Sequence, residues 1–273
     1  FMRFNSLKQT IDFLDREGDL VRISQEVDPD QEMAQITRRV FDVQGPAILF
    51  ENVKNSRFPA VSNLMGTWER TLKLFEPQLG RVKALIDIAT RPGRMIKKPG
   101  NAVKAVPAGI HSVPLPDSRA RVMENQCRIS DLPMIKCWPE DGGGFILLPQ
   151  VYSMDPVQPS IFKSNLGMYR VQLSGNDYTP DKEIGLHYQL HRGIGLHHQK
   201  ALAENQPLKV SIFIGGPPAH TLAAVMPLPE GMPEIAFAGA LAGSSFRYIR
   251  HNGHLISANA DFCITGTIQP GRT

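Results

Sequence analysis

The sequence predicts an α+β protein in two unequal parts, and three observations carry that reading. Between residues 6 and 89, short β-type apolar runs alternate with helical periodicity, the pattern of a small α/β unit. Between Arg91 and Ser118, prolines 92, 99, 107, 114 and 116 arrive together with Gly93, Gly100 and Gly109. Proline fixes φ and removes a backbone donor, so this stretch reads as an extended linker. Beyond it, short apolar runs bounded by turn residues dominate, as in a mostly antiparallel sheet or barrel with helices at its rim. The division is residues 1–95, a linker at 96–120, and residues 121–273.

In the first part, Ser6 can cap a helix over 6–17, with Leu7, Ile11 and Leu14 on one face and Gly18 just past its end. A strand follows at 20–23. Asp28 or Asp30 starts a second helix whose stripe is Met33, Ile36 and Val40, with Gly45 beyond it. Strands at 47–50 and 60–64 and helices at 67–75 and 81–89 complete the unit. In the second part, strands are expected near 127–129, 145–154, 161–174, 208–215, 246–250 and 260–268. Helices are expected at 196–204, 218–224 and 236–241, the second entered through Pro217 and Pro218.

Composition narrows the function classes. The 273 residues are 42% hydrophobic and 21% charged, values of a globular protein rather than a disordered one. The net charge of +4 comes from scattered Lys and Arg, not the concentrated patch of a nucleic-acid footprint, while small anions remain plausible partners. Cys127, Cys137 and Cys263 form no zinc spacing, and a sparse, odd set suits a reducing cytoplasm. No apolar run is long enough to span a bilayer, so neither nucleic-acid binding nor membrane insertion is expected.

Candidate chemistry concentrates between Lys163 and Gln199. Four of the chain's eight histidines lie there (His187, His191, His197, His198), beside an Asn-x-Gly-x-Tyr-Arg string and a Gly-Ile-Gly turn. His187 and His191 have zincin spacing, but Tyr188 stands where that chemistry needs glutamate. Gly193 and Gly195 begin a GxG pair, yet His198 occupies the third glycine position of a dinucleotide fingerprint. The run Gly142–Gly143–Gly144 reads as a flexible turn. Asn165, His191 and Glu234 offer an amide oxygen, an imidazole and a carboxylate, a set suited to Mn²⁺ or Mg²⁺. Arg170 shares a strand face with Met168 and can grip an anion with its planar fork. Spacing alone does not bring these residues together, and ordinary loop chemistry is the competing reading.

Four strings, NLGMYR (165–170), HYQLHRGIG (187–195), AAVMPLPEGMPEIAFAG (223–239) and LPMIKCWPED (132–141), resemble the UbiD family of reversible decarboxylases. REGDLVRI (16–23) and GPAILFENV (45–53) are similar to its N-terminal part. The resemblance implies an N-terminal α/β domain followed by a flavin-binding split β-barrel. It implies prenylated FMN as cofactor, supplied by a partner flavin prenyltransferase, with Mn²⁺ and, as a further candidate, K⁺. The implied reaction is decarboxylation or carboxylation of an aromatic or α,β-unsaturated acid.

Carried over by motif position, Asn165, His191 and Glu234 would ligate the Mn²⁺ that holds the cofactor phosphate. Met168, Tyr169, Arg170, His187, Tyr188, Gln189, Arg192 and Gly193 would line the flavin, with Ala223, Ala224 and Met226 nearby. Arg170 would be the catalytic arginine.

The family's arginine works with two glutamates in a segment that follows the counterpart of residues 266–271, and a C-terminal domain comes after that. Neither is found in these 273 residues. The expectation is therefore the cofactor-binding portion of such an enzyme, inactive alone and homo-oligomeric when full length. The missing part would follow in the same polypeptide or come as a separate C-terminal subunit. The alternative is a catalytically incomplete flavin-binding or regulatory subunit that needs a partner chain.

Overall fold

The structure, a computed structural model, describes residues 3–91, 99–191, 193–229 and 231–271. Helix α1 (Leu7–Arg16) starts where Ser6 Oγ accepts the Gln9 N–H, so the predicted cap is formed. Strand β1 (Leu20–Val27) pairs in parallel with β2 (Ala47–Val53) across helix α2 (Glu32–Asp42), and β3 (Ala60–Ser62) adds antiparallel to β2. This is the expected α/β unit.

Two expectations fail nearby, for the same reason. The helices predicted at 67–75 and 81–89 are one helix, α3 (Trp68–Thr90), running through Pro77 and Gly80. Those two residues cost a helix interior about 3 and 1 kcal/mol, but Leu74, Phe75, Val82 and Ala84 all bury from this helix and outweigh the penalty. Where an extended linker was predicted, residues 99–111 form helix α4 (Pro99–His111), with Pro107 inside it. Ala105 and Ala108 are buried, and α4 packs on α3 and on a later helix, α7. Residues 92–98 of the predicted linker lie outside the described residues.

The second part is largely antiparallel, and its strands are shorter and more numerous than predicted. Strand β4 (Leu115–Pro116) joins the edge of the hairpin β11 (Arg247–His251) and β12 (His254–Ser257). No strand forms at 127–129, because that segment leads into a 3₁₀ turn, Ile129–Asp131, closed by Asp131 on the Arg128 N–H. The run 145–154 divides into β5 (Phe145–Ile146) and β6 (Gln150–Met154), separated at Pro149, and 161–174 divides into β7 (Ser164–Gly167) and β8 (Arg170–Gln172). Strand β9 (Gly185–His187) was not foreseen. Helix α5 (Ile194–Ala203), β10 (Leu208–Ile214), α6 (Pro218–Ala223), α7 (Glu234–Ala242) and β13 (Phe262–Ile268) follow.

Two sheets position the site. One has the order β13-β10-β6-β7 and the other β5-β8-β9. With the N-terminal sheet and the β4 hairpin they make four open sheets, and no closed barrel is seen among the described residues.

The main core spans both parts of the chain, joining Leu14, Leu74 and Phe75 to Phe213, Phe237 and Phe246. Helix α7 sits inside it, with every residue from Ile235 to Ala242 buried. A Cβ on Gly239 would stand 2.2 Å from the carbonyl oxygen of His111, so glycine lets α4 and α7 meet. Among the described residues no helix is long and apolar enough to cross a membrane.

Candidate functional site

Three element ends converge on β7, an edge strand held against β6 by the pairing of Asn165 with Ser153. Helix α7 begins at Glu234, and Glu234 Oε2 accepts the Leu166 N–H at 3.2 Å. Burial pushes the Glu234 carboxyl above its usual range, against the pull of its own and Leu166's backbone N–H groups. No ion pair reaches it among the described residues, so its oxygens face an incomplete set of partners.

Helix α5 begins beside Asn165. The Ile194 N–H donates to Tyr169 Oη at 3.2 Å, and Asn165 Nδ2 donates to the same oxygen at 3.1 Å. Gly193 precedes the helix with φ +53°, and a Cβ there would lie 2.2 Å from Tyr169 Oη and 2.5 Å from Asn165 Oδ1. Glycine is required for this approach. From the other side, the Met168 N–H donates to the Ala224 carbonyl at 3.0 Å, docking the loop after β7 on the end of α6.

Arg170 opens β8, opposite His187 of β9. Its Nη2 donates to Asp141 Oδ1 at 2.6 Å, and the guanidinium lies 4.0 Å from the Phe145 ring centroid. Asp141 is itself fixed, because Oδ2 accepts the N–H groups of Cys137 and Trp138 at 3.2 and 3.1 Å. Burial raises the Asp141 carboxyl, yet these donors and Arg170 together hold it below the ordinary carboxylate range. The Arg170 side chain remains 55% exposed, leaving donors free for an anion.

The glycine run after Asp141 is a locked contact rather than the flexible turn predicted. A Cβ on Gly143 would lie 2.0 Å from the Ser174 carbonyl oxygen, and one on Gly175 would lie 1.8 Å from that of Gly142.

The remaining predicted residues divide. Ala223 and Ala224 are buried at the end of α6, and Met226 beyond them is 38% exposed. Tyr188 Oη lies 2.6 Å from His198 Nδ1, its ring is edge-on to Tyr169, and burial raises its hydroxyl. His187, Gln189 and His191 are exposed. Among the described residues no hydrogen bond joins His191 to Asn165 or Glu234. Arg192 lies outside the described residues.

The structure therefore brings together Asn165, Tyr169, Gly193 and, through Leu166, Glu234. No three His, Cys, Asp or Glu side chains cluster as metal ligands among the described residues, so a cation here would need the amide oxygen. Sequence reasoning missed Asp141, although it ends the LPMIKCWPED string and is a carboxylate placed directly before three glycines.

A cavity of about 900 Å³ lies elsewhere, lined by Phe58, Arg121, Ile129, Phe262 and Ile264 along β13. That strand is the opposite edge of the sheet from β7, roughly 14 Å away at ~4.8 Å per strand. The chemistry marks β7 rather than this hollow.

Comparison with known proteins agrees with the motifs. The family model described as the 3-octaprenyl-4-hydroxybenzoate carboxy-lyase Rift-related domain matches residues 113–273, and that of the N-terminal domain of the same carboxy-lyase matches residues 11–89. A 4-hydroxybenzoate decarboxylase subunit from Chlamydia pneumoniae is 35% identical over 97% of this chain, which spans 45% of that relative's length. An uncharacterized protein of Aquifex aeolicus is 32% identical over 98% of this chain, which covers 56% of it.

Among solved structures, the closed form of vanillic acid decarboxylase (ShVdcCD) from Sedimentibacter hydroxybenzoicus has a TM-score of 0.82 at 23% identity, covering 99% of this chain and 56% of that one. The UbiD-class enzyme HmfF of Pelotomaculum thermopropionicum, in complex with FMN, has a TM-score of 0.75 at 23% identity, covering 97% of this chain and 55% of that one. At that identity the likeness speaks for the fold. With two family models that together run from residue 11 to residue 273, apart from 90–112, this chain belongs to the UbiD family.

Proposed function

We propose that this chain is the cofactor-holding portion of a UbiD-type carboxy-lyase that decarboxylates or carboxylates an aromatic or α,β-unsaturated acid. The observation that carries the reading is the pairing of a buried, cation-free Glu234 with the Asn165 amide, beside a glycine cradle that a single Cβ would fill. A divalent cation answers the buried carboxylate, and hard oxygen donors suit Mn²⁺. HmfF in complex with FMN, and an evolved form of it in complex with prFMN, share this fold and support a flavin in the cradle.

Asn165 and Glu234 would hold the Mn²⁺ against the cofactor phosphate. His191, exposed in the turn before Gly193, would swing in as the third ligand. Prenylated FMN, when bound, supplies the electron sink that loss of CO₂ from an unsaturated carbon requires. Arg170 would bind the substrate carboxylate with its free N–H donors while Asp141 and Phe145 fix the plane of its guanidinium. The acid that returns a proton to the product would be carried by further polypeptide, in cis or as a separate subunit. The greater length of the relatives, one of which is itself a decarboxylase subunit, supports that arrangement.

The test loads the purified chain with Mn²⁺ and flavin and desalts it. Glu234→Ala is expected to lose both while the fold persists, and equal retention of flavin by variant and parent would remove the metal assignment. The loaded chain alone is expected to release no CO₂ from substrate, with turnover appearing once the remaining polypeptide is supplied.

A further inference from the structure

We infer that Tyr169 is a positioning residue for the cation site: its hydroxyl orients the Asn165 amide so that Oδ1 is left free for the metal, and it pins the start of α5 against β7. The inference rests on the reading of Asn165 as a ligand. An asparagine amide presents an oxygen and an NH₂ group, and a cation takes only the oxygen. Nothing in the side chain itself chooses between the two orientations, so a neighbour must.

Tyr169 Oη is that neighbour. It accepts the Ile194 N–H at 3.2 Å, and it lies 3.1 Å from Asn165 Nδ2 against 3.3 Å from Oδ1. A hydroxyl has two lone pairs and one proton. Accepting from Ile194 and from Asn165 Nδ2 fills both lone pairs and leaves the Asn165 carbonyl oxygen unused. The backbone of Gly193 closes over the pair, since a Cβ there would collide with Oη and with Oδ1 alike. The Tyr169 ring is steadied from behind by the edge-on ring of Tyr188, 6.3 Å away, which is itself tied to buried His198. One hydroxyl thus links the amide on β7 to the helix that follows the histidine loop.

Outer partners that orient metal ligands are commonly worth 10–100-fold in metal affinity. The experiment titrates Mn²⁺ into the 273-residue chain with FMN present, followed by electron paramagnetic resonance. Tyr169→Phe keeps the ring contacts and is expected to weaken Mn²⁺ binding about 10–100-fold without changing the melting temperature. The deciding measurement repeats the substitution on Asn165→Asp. A carboxylate presents oxygen in either orientation, so Tyr169→Phe is expected to cost far less affinity there. An equal cost in both backgrounds would mean that Tyr169 supports only the fold locally, and parent-like Mn²⁺ binding by Tyr169→Phe alone would overturn the inference outright. Asn165→Ala separates the two layers. If it binds Mn²⁺ as the parent does, the ligand reading falls and this inference with it; if it loses Mn²⁺ while Tyr169→Phe does not, only the role of Tyr169 falls.

Discussion

The N-terminal unit and the β7 site each take an ionisable side chain out of water, and they complete its surroundings differently. Arg70 on α3 is 1% exposed, and its guanidinium is fully engaged: Nε and Nη2 donate to the two oxygens of Asp19 at 2.9 and 2.8 Å, Nη1 to the Asn63 carbonyl and Nη2 to the Gly45 carbonyl, both at 2.7 Å. Every partner comes from the same unit, so the charge locks α3 to the turns around β1 and β2. Glu234 has one backbone donor from β7 and no cation among the described residues. A buried charge with all its partners is architecture. One left short of partners is where a ligand's charge belongs.

The largest expected effect tests the closed half of that contrast. Arg70→Leu strands Asp19 and two backbone carbonyls, and removing one partner of a buried pair costs about 3–5 kcal/mol. Urea unfolding followed by circular dichroism measures this, and a loss below about 1 kcal/mol would place Arg70 with the dispensable surface pairs.

Next comes Arg170, whose charge is held but not enclosed. In the assembled enzyme, Arg170→Lys is expected to keep flavin and Mn²⁺ yet lose turnover by on the order of 10–100-fold, because the planar fork is lost with the charge retained. Asp141→Asn should move kcat/KM in the same direction, less steeply, at unchanged flavin occupancy. Unchanged activity per bound flavin in Arg170→Lys would assign the arginine to phosphate neutralisation instead.

His220 shows a third treatment, burial in the neutral form. It is buried at 2% exposure against Phe246, and burial lowers its pKa to about 3. The unfolded chain takes up this proton near pH 6.5 and the folded chain does not, so stability falls as pH drops from about 6.5 toward about 3. The slope attributable to one such group is up to about 1.4 kcal/mol per pH unit. His220→Phe should flatten the acid limb of a plot of urea midpoint against pH, and an unchanged slope would show that the ring already protonates in the fold.

The smallest effect is expected at Glu234, measured for stability rather than binding. In the cation-free chain, Glu234→Gln keeps an acceptor for the Leu166 N–H and removes a buried carboxyl, so stability should shift by less than about 1 kcal/mol. A loss like that of Arg70→Leu would erase the contrast between the two regions.

Local chemistry was legible in the sequence where it decides structure locally. The Ser6 cap, the alternation of β1, α2 and β2 and the position of α6 after two prolines all follow from neighbouring residues. Packing between distant segments was not legible. α3 runs through Gly80 and α4 through Pro107 because helices far along the chain bury their faces. The strand expected at 127–129 yields to a carboxylate three residues on. At the site, residue types and motif strings pointed to Asn165, Arg170 and Glu234. The Asp141–Arg170 bond spans 29 positions and has no period to reveal it. The exposed side chain of His191 gives no sign in the sequence of its distance from its proposed partners.

The interlock of residues 142–144 with Ser174 and Gly175 has a consequence for anyone building variant libraries. Most surface turns tolerate replacement, insertion or a tag. Here two backbones occupy the space that side chains would need, so even alanine at Gly143 or Gly175 must push main chain aside directly behind Asp141. Saturation of these positions should return almost nothing but the parent residue. The hairpin tip at Asn252 and Gly253, on a different sheet, is the better place for a label or a graft.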